Sequence, residues 1–133
     1  MSLTTTEQGG ALSTFGRDYG YNGQLLNKFF TFSTVGLSIV DAVERLHIPL
    51  PDYIKMNVDG IEHLILKGGA AVLKNVKSIL IEINDEFEEQ KVSSERYLLE
   101  AGLILKEKCH ADMFENTVHQ HTYNQTWHRV LTP

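Results

Sequence analysis

The stretch that most constrains the fold is PDYIKMNVDGIEHLILKGGAAVL, Pro51 to Leu73. A largely apolar run, Tyr53-Ile54-Lys55-Met56, stops at Asn57-Val58-Asp59-Gly60. A helical stripe of Ile61, Leu64, Ile65, Val72 and Leu73 begins at once. The segment Asp52 to Val58 is therefore predicted as a strand that hands over to a helix, with glycine as the pivot. Gly68-Gly69 interrupts the helix and lowers its propensity, by about 1 kcal/mol per glycine. Such small residues are expected to allow close approach to a sheet.

The flanking sequence repeats this alternation. Phe29 to Val35 (FFTFSTV) is aromatic and β-branched and predicts a strand. Ser38, with Asp41 three residues on, predicts a helix start carrying Ile39, Val43 and Leu46, and Pro49 and Pro51 prevent its continuation. Ser78 to Ile83 is nearly continuously apolar, as expected of a strand buried on both faces. A helix opening near Ser93-Ser94 ends at Gly102. Two more strands are predicted, Leu103 to Cys109 and Thr126 to Leu131, separated by a long polar segment, 110–125. The expected fold is α/β, mostly parallel, with an antiparallel C-terminal strand pair. Residues 1–28, rich in Gly, Ser, Thr and Asn, are expected to form an irregular arm, ahead of the α/β domain of 29–133, whose Phe15, Tyr19 and Tyr21 pack against a surface that the sequence does not assign.

Composition narrows the partners. Twelve Lys and Arg stand against seventeen Asp and Glu, a net charge of −5, and the basic residues are scattered, which argues against a nucleic-acid or anionic-membrane surface. No apolar run reaches the ~18 residues of a membrane span. The single cysteine, Cys109, rules out an intrachain disulfide, and the first residues lack a signal-peptide pattern, so a cytoplasmic location is expected.

In open α/β sheets, ligands bind beyond the carboxyl ends of the parallel strands. Asn57, Asp59, Glu82 and Asn84 all fall there. The ordered string IKMNVDGIEHLILKGG followed by VKSILIEIN resembles the C-terminal half of FkbM-type methyltransferases, which use S-adenosylmethionine. Lys55, Val58, Asp59, Gly60, Glu62, Lys67, Gly68, Glu82 and Ile83 match that pattern, and Gly36-Leu37-Ser38-Ile39 with Asp41 resembles the helix start preceding it. The resemblance covers roughly residues 29–131 and implies a partial Rossmann-like methyltransferase sheet. It also implies a small-molecule hydroxyl acceptor, with sugars among the candidates, and S-adenosylmethionine as cofactor.

Two departures qualify this. Asn57 stands where the family has an aspartate. The family's glycine-rich cofactor turn has no counterpart: Gly9-Gly10, Gly16, Gly20 and Gly23 follow no apolar strand. No cofactor-binding residue is assigned, and the chain alone is expected to be inactive or to bind S-adenosylmethionine weakly. The alternative is a non-catalytic remnant that dimerises or binds a partner.

Methyl transfer needs an aligned nucleophile, and for a hydroxyl a general base helps. Asp59 and Glu62 are the catalytic candidates, and Asn57, Glu82 and Asn84 the substrate-binding ones. An amide cannot act as a base, so Asn57 can only orient an acceptor. The bland readings compete: Asp59 as a cap of the following helix, Glu62 as a solvated first-turn carboxylate, and Glu82 paired with Lys55 on a neighbouring strand. His119-x-His121, with His110 nearby, could place two imidazoles on one strand face, but the segment reads as a loop without a third ligand spacing, and no metal is assigned. Trp127 is expected to pack in the core or at an edge. In the family's sheet the 52–58 strand pairs with a strand of the cofactor half. Without that partner its edge is expected to recruit a second copy, giving a homodimer, or to be covered by the arm, 1–35.

Overall fold

The computed structural model of the chain describes residues 1–3 and 13–130. Eleven elements follow one another: β1 (Ser2–Leu3), β2 (Phe30–Thr31), α1 (Ile39–Leu46), β3 (Tyr53–Met56), α2 (Glu62–Gly68), α3 (Ala70–Leu73), β4 (Ser78–Asn84), α4 (Glu88–Glu100), β5 (Leu103–Cys109), a 3₁₀ turn (Asp112–Phe114) and β6 (Thr122–Arg129). The main sheet has the order β3-β4-β6-β5. Only β3 and β4 are parallel, and β6 runs antiparallel to both of its neighbours. The expected mostly parallel sheet is thus a mixed one. The antiparallel C-terminal pair is present, but β6 inserts between β4 and β5 and contributes two antiparallel interfaces.

Strand β6 begins at Thr122, four residues before its predicted start. Its register explains why: Thr122 to His128 pairs residue by residue with Asn84 to Ser78. The ladder draws polar residues into a strand that apolar patterning alone does not mark. The last predicted residue, Leu131, lies outside the described residues. Phe29 to Val35 also differs from expectation. Only Phe30–Thr31 is a strand, and it pairs with β1 in a separate two-stranded sheet.

The core lies on one face of the main sheet. Ile79, Ile81 and Ile83 of β4 are buried together with Met56, Trp127 and Leu103, and Leu66, Leu73 and Leu98 close over them from α2, α3 and α4. Each such side chain contributes about 1.5–3 kcal/mol by leaving water. Trp127 satisfies its indole N–H internally, donating to Gln125 Oε1 at 2.9 Å. The alternate residues face the other way. Tyr53 is 71% and Leu80 37% exposed, Lys55 and His128 are exposed, and Glu82 is half-buried. Strand β4 is therefore buried on one face and not on both. Its polar Ser78 and Glu82 take the open side, as period-two geometry requires.

Ser38 caps α1 as predicted: its Oγ accepts from Asp41 N–H at 3.0 Å and donates to Asp41 Oδ2 at 2.8 Å. The Gly68-Gly69 break separates α2 from α3. Its close approach is to the start of α1 and not to the sheet, because a Cβ on Gly69 would sit 2.8 Å from Ile39 Cδ1. Helix α4 starts at Glu88, earlier than Ser93, with Glu88 and Glu89 in the first turn, where carboxylates suit the helix dipole. Arg129, at the end of β6, fastens the far end of the domain. Its guanidinium donates to the carbonyls of Leu73, Val76 and Ala101 at 2.7–2.9 Å, serving the ends of α3 and α4 together.

The described part of the arm passes over the carboxyl ends of the parallel strands, and among the described residues no strand pairs with the outer edge of β3. Tyr19 meets the Phe87 ring edge-on at 5.4 Å, and Tyr21 packs on His119 with the rings tilted, centroids 4.6 Å apart, while its hydroxyl donates to Val118 O. Gly20 and Tyr21 press on Gly60 so closely that a Cβ there would lie 2.5 Å from Gly20 O.

Candidate functional site

The β3-to-α2 connection is a tight turn. Asp59 adopts φ 58° and Gly60 φ +108°, both in the left-handed region, which glycine tolerates and aspartate visits. The N-cap position of α2 falls on Ile61, which offers no side-chain acceptor, so Asp59 is not the capping residue. The turn's amides are served from the other direction. Glu62 Oε1 accepts from Val58 N–H and Oε2 from Gly60 N–H, each at 3.0 Å.

Glu62 is only 1% exposed, which overturns its reading as a solvated first-turn carboxylate. Its Oε2 also accepts from Gln90 Nε2, and Gln90 Oε1 accepts from Asn84 N–H at 2.8 Å. One buried carboxylate and one buried amide thus connect the end of β3, the start of α2, α4 and the end of β4. Burial pushes the Glu62 carboxyl above the usual carboxylate range, against the pull of these donors.

Glu82 makes no direct salt bridge with Lys55. Burial, followed by the nearby charges of Glu62 and Asp59, raises its carboxyl, while the Asn57 hydrogen bond and the more weakly acting Lys55 lower it. Asn84 is buried, and its Oδ1 accepts from Glu86 N–H at 2.9 Å, shaping the turn into α4.

All five residues singled out from the sequence (Asn57, Asp59, Glu62, Glu82 and Asn84) line one cavity of about 170 Å³ at the carboxyl ends of β3 and β4. The sequence reading missed its other walls. Gln90 and Thr122 complete the floor, and Tyr21, Phe114 and His119 form an aromatic side. Phe114 and His119 pack at 5.5 Å. The arm aromatics were the one signal available for this wall, since their partner was unassigned. A second, larger and mainly apolar cavity of about 770 Å³ lies between the arm, α1 and α2, with Arg17 the only charged lining residue among the described ones. It holds none of the strand-end groups.

Comparison with known proteins finds no family model, no curated protein and no solved structure that matches this chain. The resemblance to FkbM-type methyltransferases rests on the quoted residues alone.

The histidines of the polar segment diverge. His119 belongs to the aromatic wall, whereas His121 Nε2 lies 3.2 Å from Glu86 Oε1 and His110 packs on Tyr123 at 5.1 Å. Among the described residues no group of three or more His, Cys, Asp or Glu is placed to hold a metal. Among them, too, no helix is long and apolar enough to cross a membrane. Cys109 ends β5 exposed, and a hydrogen bond with Glu107 raises its thiol.

Proposed function

We propose that the strand-end cavity is the acceptor site of a methyltransferase-like domain of the FkbM type, and that these residues supply its acceptor-side half. The observation that carries the reading is the convergence of Asn57, Asp59, Glu62, Glu82 and Asn84 on one cavity, at the place where an α/β sheet keeps its ligand. Within it the roles divide by hydrogen bonding. Glu62, with both oxygens engaged by N–H donors, holds the turn in shape. Asp59, which lines the same cavity, is the carboxylate assigned to accept a hydroxyl proton. Asn57 and Glu82, which line the cavity together and with Asn57 favouring the ionised form of Glu82, orient the acceptor.

A site for S-adenosylmethionine has no support among the described residues. Gly16, Gly20 and Gly23 lie in the arm, outside any strand, and Gly9-Gly10 lies outside the described residues. A partial pocket cannot offset the entropy of ordering a ligand of that size. Calorimetric titration of the chain with S-adenosylmethionine tests this. The expected result is no saturable heat up to about 1 mM. Micromolar binding would contradict the half-site reading and favour a complete enzyme.

A second reading, a dimerising or partner-binding module, is favoured by one observation. Among the described residues β3 pairs on one side only, and exposed Tyr53, Leu50 and Ile48 lie along or just before it. An open edge flanked by apolar side chains is a template for another strand.

A further inference from the structure

We propose that the strand-end cavity binds a small organic cation, a compound bearing a primary or quaternary ammonium group. This rests on the cavity being the ligand site, but not on methyl transfer. Among the described residues three carboxylates, Asp59, Glu62 and Glu82, border the cavity, and no lysine or arginine does. They act on one another: the charges of Glu62 and Asp59 both oppose ionisation of Glu82. Glu62 is answered by fixed N–H dipoles, whereas Glu82, half-buried, makes no salt bridge within 4.0 Å among the described residues, and Asn57 and Lys55 favour its ionised form against burial and the two neighbouring carboxylates. A positive ligand entering such a cavity would offset the mutual repulsion of these carboxylates.

Two independent features point the same way. Part of the same lining is aromatic, from Tyr21, Phe114 and His119, and ring faces attract ammonium groups. Thr122, 6% exposed and lining the cavity, has a hydroxyl with no hydrogen-bond partner. A buried hydroxyl of this kind is expected to be satisfied by whatever fills the space. The ligand that fits has an ammonium head reaching both the rings and the carboxylates, and a polar group within reach of Thr122.

The test is an amide NMR titration of the whole chain with choline, with its neutral carbon isostere 3,3-dimethylbutan-1-ol, and with a neutral methyl glycoside. Choline is expected to give saturable shifts at Val58, Gly60 and Asn84, and the isostere to bind about tenfold more weakly or not at all. Glu82→Gln should weaken choline binding about tenfold or more. If that variant loses its dispersed spectrum, Asp59→Asn provides the same comparison. The proposal is overturned if choline produces no saturable shift, if the isostere binds equally well, or if charge removal changes nothing. Glycoside binding at the same amides without choline binding would overturn the cation while leaving the cavity as the acceptor site.

Discussion

Gln90 on α4 and Glu62 on α2 are bonded to each other inside the protein, 28 residues apart, and the same Gln90 side chain accepts from the backbone of Asn84. Gln90 is 2% exposed, so neither bond is shared with solvent. Replacing it by leucine would keep much of the volume but leave Glu62 Oε2 and the Asn84 N–H each short of a partner. The expected loss is roughly 2–4 kcal/mol, since orphaned buried polar groups cost more than the bond itself contributes. Urea unfolding of Gln90→Leu measures it. A change below about 0.5 kcal/mol would show that the pair does not fasten α2 to α4.

Gly60→Ala should act through the arm. The substitution places a Cβ against Gly20 O in a backbone conformation that only glycine adopts easily. The turn must distort or the arm must lift. We expect a stability loss of about 1–3 kcal/mol and faster proteolysis between residues 13 and 28. Unchanged cleavage there would mean that the arm does not depend on this contact.

His63 predicts acid sensitivity. It is 2% exposed, its two ring nitrogens have no hydrogen-bond partner, and burial holds its ring below the usual imidazole range, although Glu89 Oε1 stands 3.9 Å away. A depressed folded-state value means that the unfolded chain takes up the proton first. The stability associated with the neutral ring is therefore full above the unfolded value, about 6.5, and is lost as pH falls through the folded one. His63→Leu should remove this loss, so the variant gains on the wild type as pH drops from about 7.5 to about 5.5. Denaturant midpoints at the two pH values decide. Glu62 works in the opposite sense: its raised carboxyl favours the fold at low pH and loses that contribution as pH rises from about 4.3 through its folded value. The comparison therefore has to be between variants at each pH.

The open edge of β3 predicts self-association. Ile54 packs on the core from this strand while Tyr53 stays exposed, so Tyr53→Lys should weaken edge pairing without disturbing the interior. Size-exclusion chromatography with light scattering should report a dimer for the wild type and more monomer for the variant. A wild-type monomer with a freely exchanging β3 edge would remove the dimer reading.

Much of this arrangement could be read from the sequence where local chemistry is decisive. The Ser38 cap, the strand-turn-helix at Tyr53 to Gly68 and the closing Gly102 each follow from a few adjacent residues. The four strand-end residues Asn57, Asp59, Glu82 and Asn84 could be grouped because their positions on the elements were fixed by periodicity, and Glu62 stood beside them at the start of the next helix. What escaped depended on long-range partners. Glu62 looks solvated until Val58, Gly60 and Gln90 are brought to it, and β6 looks like loop until β4 draws Thr122 to Gln125 into register. The one-sided burial of β4 was present in the alternation of Ser78, Leu80 and Glu82 with three isoleucines, but the apolar count obscured it. The arm's place over the site had no local signal beyond Tyr19 and Tyr21.

The most direct measurement is a fragment screen followed by amide NMR, because it sets the two cavities against each other. Small polar and charged fragments are expected to shift Val58, Gly60 and Asn84, around the Glu62-held turn. Hits gathered instead at Ile39, Leu64 and Gly68, beside the larger apolar cavity, would contradict the assignment of the strand-end cavity as the functional site.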